Sequence, residues 1–393
     1  MSDRPDSYFN GEMKPSFDDG VDPSPASEAV ELEIVSPPPR PALQSATLRQ
    51  GPGLLETLGW VAGFFMAQLL LGALFFILYI VVMLVSDPDF ITVLKNRALL
   101  EEHMVEAQPL MIAAVQGCLI LICLTAARLR WGRHYKISVK LNSFRPIHFL
   151  AIVALILPTQ VVSQAIYEQV NYVWQLLAVE LPNLKLLDEL NIVESAPAII
   201  QESPVHLSFL IFVIAPAVNE ELLFRGIIGN GLVHRYGVVL GILMTSVFFA
   251  IVHMHPVHVA AVFGLGAVIH WTYLTTRTIW APMLLHFLNN GFALYSALYL
   301  GASDSEQQTS IPFWLTACSL ITIGLLCLFL WKSRRQLVKP DGLEVPMDRE
   351  WQVYPERITS RGFQQGMPSW GFSILTAIVS LGTLILICSD GLI

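Results

Sequence analysis

Leu207–Asn230 reads LSFLIFVIAPAVNEELLFRGIIGN. A helix needs about 20 mostly apolar residues to cross a bilayer, and this run has them, yet it carries Glu220, Glu221 and Arg225. On insertion scales one charged side chain at the bilayer centre costs about 2.5–3.5 kcal/mol. Three within six residues must face a wet, protein-lined cavity or do chemistry. Either way the run belongs inside a bundle of other helices.

The rest of the chain supplies such a bundle. Of its 393 residues 54% are hydrophobic and 14% charged, where soluble domains carry about 25% charged residues, so a membrane protein is expected. Apolar runs lie near 58–85, 109–128, 146–166, 207–230, 237–254, 257–275, 279–300, 312–331 and 370–388. They predict an all-α, polytopic membrane helix bundle of eight or nine transmembrane helices, with membrane lipids as its solvent. Basic loops after the second, fourth, sixth and eighth runs (Arg128, Arg130, Arg133 and Lys136; Arg235; Arg277; Lys332, Arg334 and Arg335) alternate with acidic or neutral ones. The positive-inside rule then places the amino terminus in the cytoplasm.

Domain organisation follows from the same pattern. Residues 1–55, Pro-rich, acidic and poor in aromatics, predict a disordered cytoplasmic tail with no cleavable signal peptide. Residues 56–205 hold the amino-terminal helices and an extracytoplasmic loop (167–206), 206–300 the polar core, and 301–393 the last helices with a charged cytoplasmic linker at 332–368. The net charge of −8 leaves no basic tract, which excludes a nucleic-acid partner. The five cysteines sit in apolar runs without the spacing of a metal knuckle, and are expected to pack rather than pair.

Three polar clusters interrupt the core. On a helix Glu221 and Arg225 are four apart and share a face, acid before base. Glu220 is rotated by about 100° and shares that partner less readily. One glutamate is thereby expected to be structural and the other free for work. Pro216 removes a backbone donor and frees the carbonyl of Phe212, which predicts a kink beside the site. The second cluster sets Phe249 and His253 one turn apart, and the third does the same for His286 and Asn290. Alone, each could be a stitch between helices. Together, a carboxylate, two imidazoles and a carboxamide from three helices can activate water and stabilise an oxyanion.

No zinc-binding His-Glu-x-x-His helix, serine nucleophile loop or Gly-x-Gly-Asp pair occurs. Glu220-Glu221-x-x-x-Arg225, Phe249-x-x-x-His253 and His286-x-x-x-Asn290, with Trp280-Ala281-Pro282 nearby, resemble the motifs of the CAAX protease and bacteriocin-processing (CPBP, or Abi) family. That family includes the type II CAAX prenyl endopeptidases, and the likeness covers roughly residues 205–295. It implies an intramembrane endopeptidase, a CPBP-like catalytic core at 206–300, and a membrane-anchored protein or peptide substrate. By that resemblance Glu220 would be the general base and His253 would position the water. His286 and Asn290 would stabilise the oxyanion, with Glu221, Arg225 and Phe249 in support and no metal or other cofactor.

Three alternatives stay open. Zinc held by His253, His286 and Glu220 would also activate water. A non-catalytic protein that binds a membrane partner could keep the same constellation. A transporter would show broken helices in two related halves, and no repeat is visible. Simple residue counting puts Glu220 near mid-membrane but His253 near the outer end of its run. His255 and His258 are expected in an interfacial turn, and no role is assigned to His148, His270 or Asn289.

Overall fold

A computed structural model describes residues 51–190, 192–300, 310–338, 342–352 and 359–361. The first apolar run becomes α1 (Leu54–Ser86), the second α2 (Arg97–Trp131) and the third α3 (Pro146–Glu180). The chain then continues helically through 205–236 (α4), breaks, and resumes as 238–251 (α5). After it come α6 (Pro256–Thr276), α7 (Trp280–Tyr295) and α8 (Phe313–Lys332). The first eight runs are thus helical, and the run at 370–388 lies outside the described residues, as do residues 1–50. Among the described residues six helices are long and apolar enough to cross a membrane, the stretch Val205–Ile251 with its break at Gly237 counting as one of them. The molecule is an all-α membrane bundle.

Local chemistry sets the ends. Asn96 caps α2 by accepting from the Ala98 N–H, and Pro at the first helical position starts both α3 and α6. The third helix is longer than its apolar stretch: no breaker occurs between Pro158 and Leu181-Pro182, so residues 167–180, expected as loop, continue the helix. Residues 182–190 and 192–202 follow as short helical pieces.

The break in the middle decides the geometry. Gly237 has φ 80° and ψ 173°, a region open essentially to glycine alone, and the chain reverses there. A Cβ on Gly241 would lie 2.6 Å from Val233 Cα, and the Phe224 and Phe249 rings meet edge-on with centroids 5.5 Å apart. The second half of α4 and α5 therefore form an antiparallel hairpin in which 233 faces 241 and 224 faces 249. Residues 221–233 of α4 are buried without a gap, enclosed by α2, α5 and α6, with α3 and α8 packing further out. α1 lies against α2 and turns most of its surface outward.

The Gly237 end of the bundle is tied off by two further segments. Gly51 meets Gly231 backbone to backbone, where a Cβ on Gly51 would sit 2.5 Å from the Gly231 nitrogen. Arg235 Nη2 donates to Gly51 O at 3.3 Å. Part of the stretch expected as a charged linker is docked as well. Gln336–Val338 pairs antiparallel with Thr359–Arg361, and Met347 is buried in the core. Glu350 sits 3.1 Å from Lys140 Nζ and 3.0 Å from Arg277 Nε.

Candidate active site

Proline chemistry shapes the first arm of the site. Pro216 has no N–H to give Phe212 O, and Asn290 Nδ2 donates to that carbonyl instead, at 3.1 Å. The helix stays continuous past Pro216 and widens into π-turns at Leu210–Ile214 and Glu221–Gly229, on either side of Ala215–Glu220. Such widenings recur at functional sites, where they re-aim side chains without breaking the helix.

Glu221 and Arg225 are both fully buried. Arg225 Nη1 donates to Glu221 Oε1 at 2.7 Å, Nη2 donates to Gly266 O at 2.9 Å, and the guanidinium lies 4.4 Å over the Phe249 ring. His286 Nδ1 lies 2.9 Å from the same Glu221 Oε1. A carboxylate only accepts, so His286 donates through Nδ1. A neutral His286 would then keep a lone pair on Nε2, and an imidazolium would carry a second N–H there. Glu220, one residue earlier, takes no part in the Glu221–Arg225 pair. It is half-buried, and among the described residues its Oε2 has no hydrogen-bond partner.

His253 enters from the other arm. Its Nδ1 donates to Phe249 O at 3.1 Å, so the neutral ring presents Nε2 as an acceptor. Glu220 and His253 lie at almost equal sequence distance from Gly237. The hairpin register that follows from the Val233–Gly241 and Phe224–Phe249 approaches sets them at the same level of the two arms. The depth mismatch expected from straight spans disappears, because both residues are counted from one bend. Phe249 is the hub: its ring centroid is 5.4 Å from His253 and 5.8 Å from His286, and Arg225 covers its face.

Several residues were misplaced or missed by sequence reasoning. His258 belongs not to a loop but to the first turn of α6, its ring centroid 4.7 Å from that of His253. The available signal was Pro256, which starts a helix rather than prolonging a turn. His255 is buried and paired with Asp188. His148 packs at the foot of α3 with Nε2 3.1 Å from Ser333 O, and Asn289 Oδ1 accepts from Gln160 Nε2 at 2.9 Å while its Nδ2 donates to Asn290 Oδ1 at 3.3 Å. His270 is fully buried beside Gly229. Among the described residues no three His, Cys, Asp or Glu side chains are grouped to hold a metal ion.

Residues 202–292 match the family model described as "Type II CAAX prenyl endopeptidase Rce1-like". Over that stretch the chain is similar to this family. The matched stretch contains Glu220, Glu221, Arg225, Phe249, His253, His286 and Asn290, and excludes Asp188, Lys140 and Glu350. A relative in Bacillus subtilis (strain 168), named "Putative membrane peptidase YdiL", is 30% identical over 112 residues, 28% of this chain and 45% of that protein. The chain thus spans less than half the length of that relative. No solved structure gives a significant match.

Proposed function

We propose that the chain is an intramembrane endopeptidase that hydrolyses peptide bonds of membrane-associated or lipidated, CAAX-like substrates, working through water without a metal. The meeting of His253 and His286 at the Phe249 ring, with Glu220 next to the Glu221 that His286 pairs with, all within the matched residues 202–292, carries this reading. Glu220 takes a proton from a water that His253 Nε2 holds by accepting its other hydrogen. The hydroxide adds to the scissile carbonyl. The resulting oxyanion is stabilised by His286 Nε2–H, with the ring held as an imidazolium against Glu221, and by the Asn290 amide hydrogen not given to Phe212 O. Collapse breaks the C–N bond, and the proton on Glu220 passes to the leaving amine. The loop charges support an orientation with the amino terminus, and with it the Gly237 end of the bundle, on the cytoplasmic side.

The test compares membrane-protein termini in cells carrying the native chain with those carrying Glu220→Ala. New termini that require Glu220 are expected; identical terminal peptides overturn the proposal. Metal analysis of the purified protein, with activity followed through chelation, checks the rest of the mechanism. Stoichiometric zinc and loss of cleavage on chelation would replace the direct base with a zinc-bound water held by His253, His286 and Glu220.

A further inference from the structure

The turn that presents His253 is tight. His253 N donates to Ala250 O and Met254 N to Ile251 O, each at 3.0 Å, and His255 N donates back to His253 O at 2.7 Å. Met254 at its apex has φ 63°, the left-handed region, and its side chain is largely exposed. An L residue does not settle there without an external constraint. That constraint is visible one residue on. His255, 1% exposed, has Nε2 3.1 Å from Asp188 Oδ1, and Trp174 Nε1 donates to the same oxygen at 2.8 Å. The Trp174 and His255 rings meet edge-on at 5.1 Å. Trp174 comes from α3 and Asp188 from the 182–190 segment, both outside the matched residues 202–292. His255 also caps α6, which carries His258 against His253.

We propose that Asp188 and His255 are positioning residues for His253: a latch that holds the strained 252–255 turn closed, so that the His253 ring faces Glu220. This rests on the peptidase reading above. Without the carboxylate, a buried imidazole N–H and the Trp174 N–H lose their common acceptor. The turn is then free to relax at Met254, and His253, the residue just before it, swings with it. An oxygen acceptor at 188 is needed, but a charge is not.

The experiment uses the full chain in lipid nanodiscs, cleaving a substrate peptide found from the terminal comparison. Asp188→Ala and His255→Phe are expected to lower kcat about tenfold, the scale at which misplaced catalytic groups act, with KM within about twofold. Asp188→Asn, whose amide oxygen still accepts both N–H groups, should restore most of kcat. Met254→Gly added to Asp188→Ala should do so too, because glycine adopts the left-handed turn unaided. A merely structural latch would show none of this split or rescue. The second readout is the rate at which diethyl pyrocarbonate modifies His253, followed by mass spectrometry, with Glu220→Gln as the control that leaves the latch intact. It should rise severalfold in Asp188→Ala and fall back in the Met254→Gly double variant. Unchanged kcat in folded Asp188→Ala overturns the latch. If the native chain cleaves nothing more than Glu220→Gln does, the peptidase reading fails. The modification rates alone then decide the latch: a rise supports it, and equal rates overturn it. Should Asp188→Ala fail to fold, His255→Phe, which keeps a ring against Trp174, is judged by the same criteria.

Discussion

Adjacent glutamates with the same intrinsic chemistry have become different objects here. Glu221 Oε1 receives both Arg225 and His286 with no solvent exposure, whereas Glu220 Oε2 has no hydrogen-bond partner among the described residues. Glu221→Ala leaves a buried guanidinium without its counter-charge, a loss of about 3–5 kcal/mol, and thermal unfolding in detergent should show a large drop. Glu220→Gln removes no ion pair, so unfolding should stay near the native value while cleavage is lost. Equal destabilisation by the two would refute this division. Asn290→Ala should lower kcat by about 10²–10³ if the carboxamide serves the oxyanion, measured against a KM that barely moves. The pairing of Glu221 with Arg225 was legible from their spacing of four. The third member, His286, was not, because no local pattern reports which side chain crosses from another helix.

At the level of elements, the informative unit is the hairpin around Gly237. The apolar runs before and after it were readable, but their crossing was not, since hydropathy says nothing about which faces meet. Nor was the π-widening at Glu221–Gly229 readable: the same residues would make an acceptable α-helix, and Pro216 alone suggested a kink. Gly237→Ala forces a side chain into a conformation that costs about 1–3 kcal/mol. Gly241→Ala drives a methyl towards Val233 Cα and must part the two arms. Both substitutions lie far in sequence from the chemistry, yet both should reduce kcat by moving His253 relative to Glu220. Gly241→Ala should have the larger effect, because its neighbour is backbone and cannot rotate away. Kinetic assay of the two variants beside a thermal melt checks the order.

Across the whole molecule, the apolar runs gave the helices but not how their ends are clasped. Lys140, Arg277 and Glu350 are too far apart in sequence for any local rule to join them, and Glu350 falls in a stretch whose composition reads as solvated. Burial pushes the Glu350 carboxyl up, but Lys140 and Arg277 outweigh it and hold the group below the usual carboxylate range. A carboxyl lowered in this way stabilises the docked segment above the ordinary value near 4.5. That contribution fades as pH falls through the depressed one. Limited proteolysis within 342–352 should therefore be slow at neutral pH and accelerate only in strong acid, whereas Glu350→Gln should be cut readily at neutral pH. Acceleration on raising the pH instead would show that the sign is wrong.

The contact of Gly51 with Gly231 has a practical reading. Because two backbones touch there with no side chain between them, the chain just before α1 is a fitted part of the bundle and not a leash. The joint itself is made by the backbone of Gly51 and Pro52, which any shortened chain must keep. A cut only a few residues further on would uncover the buried flank of α4 and weaken the arm that carries Glu220. Boundaries for expressing this protein are best drawn on that basis.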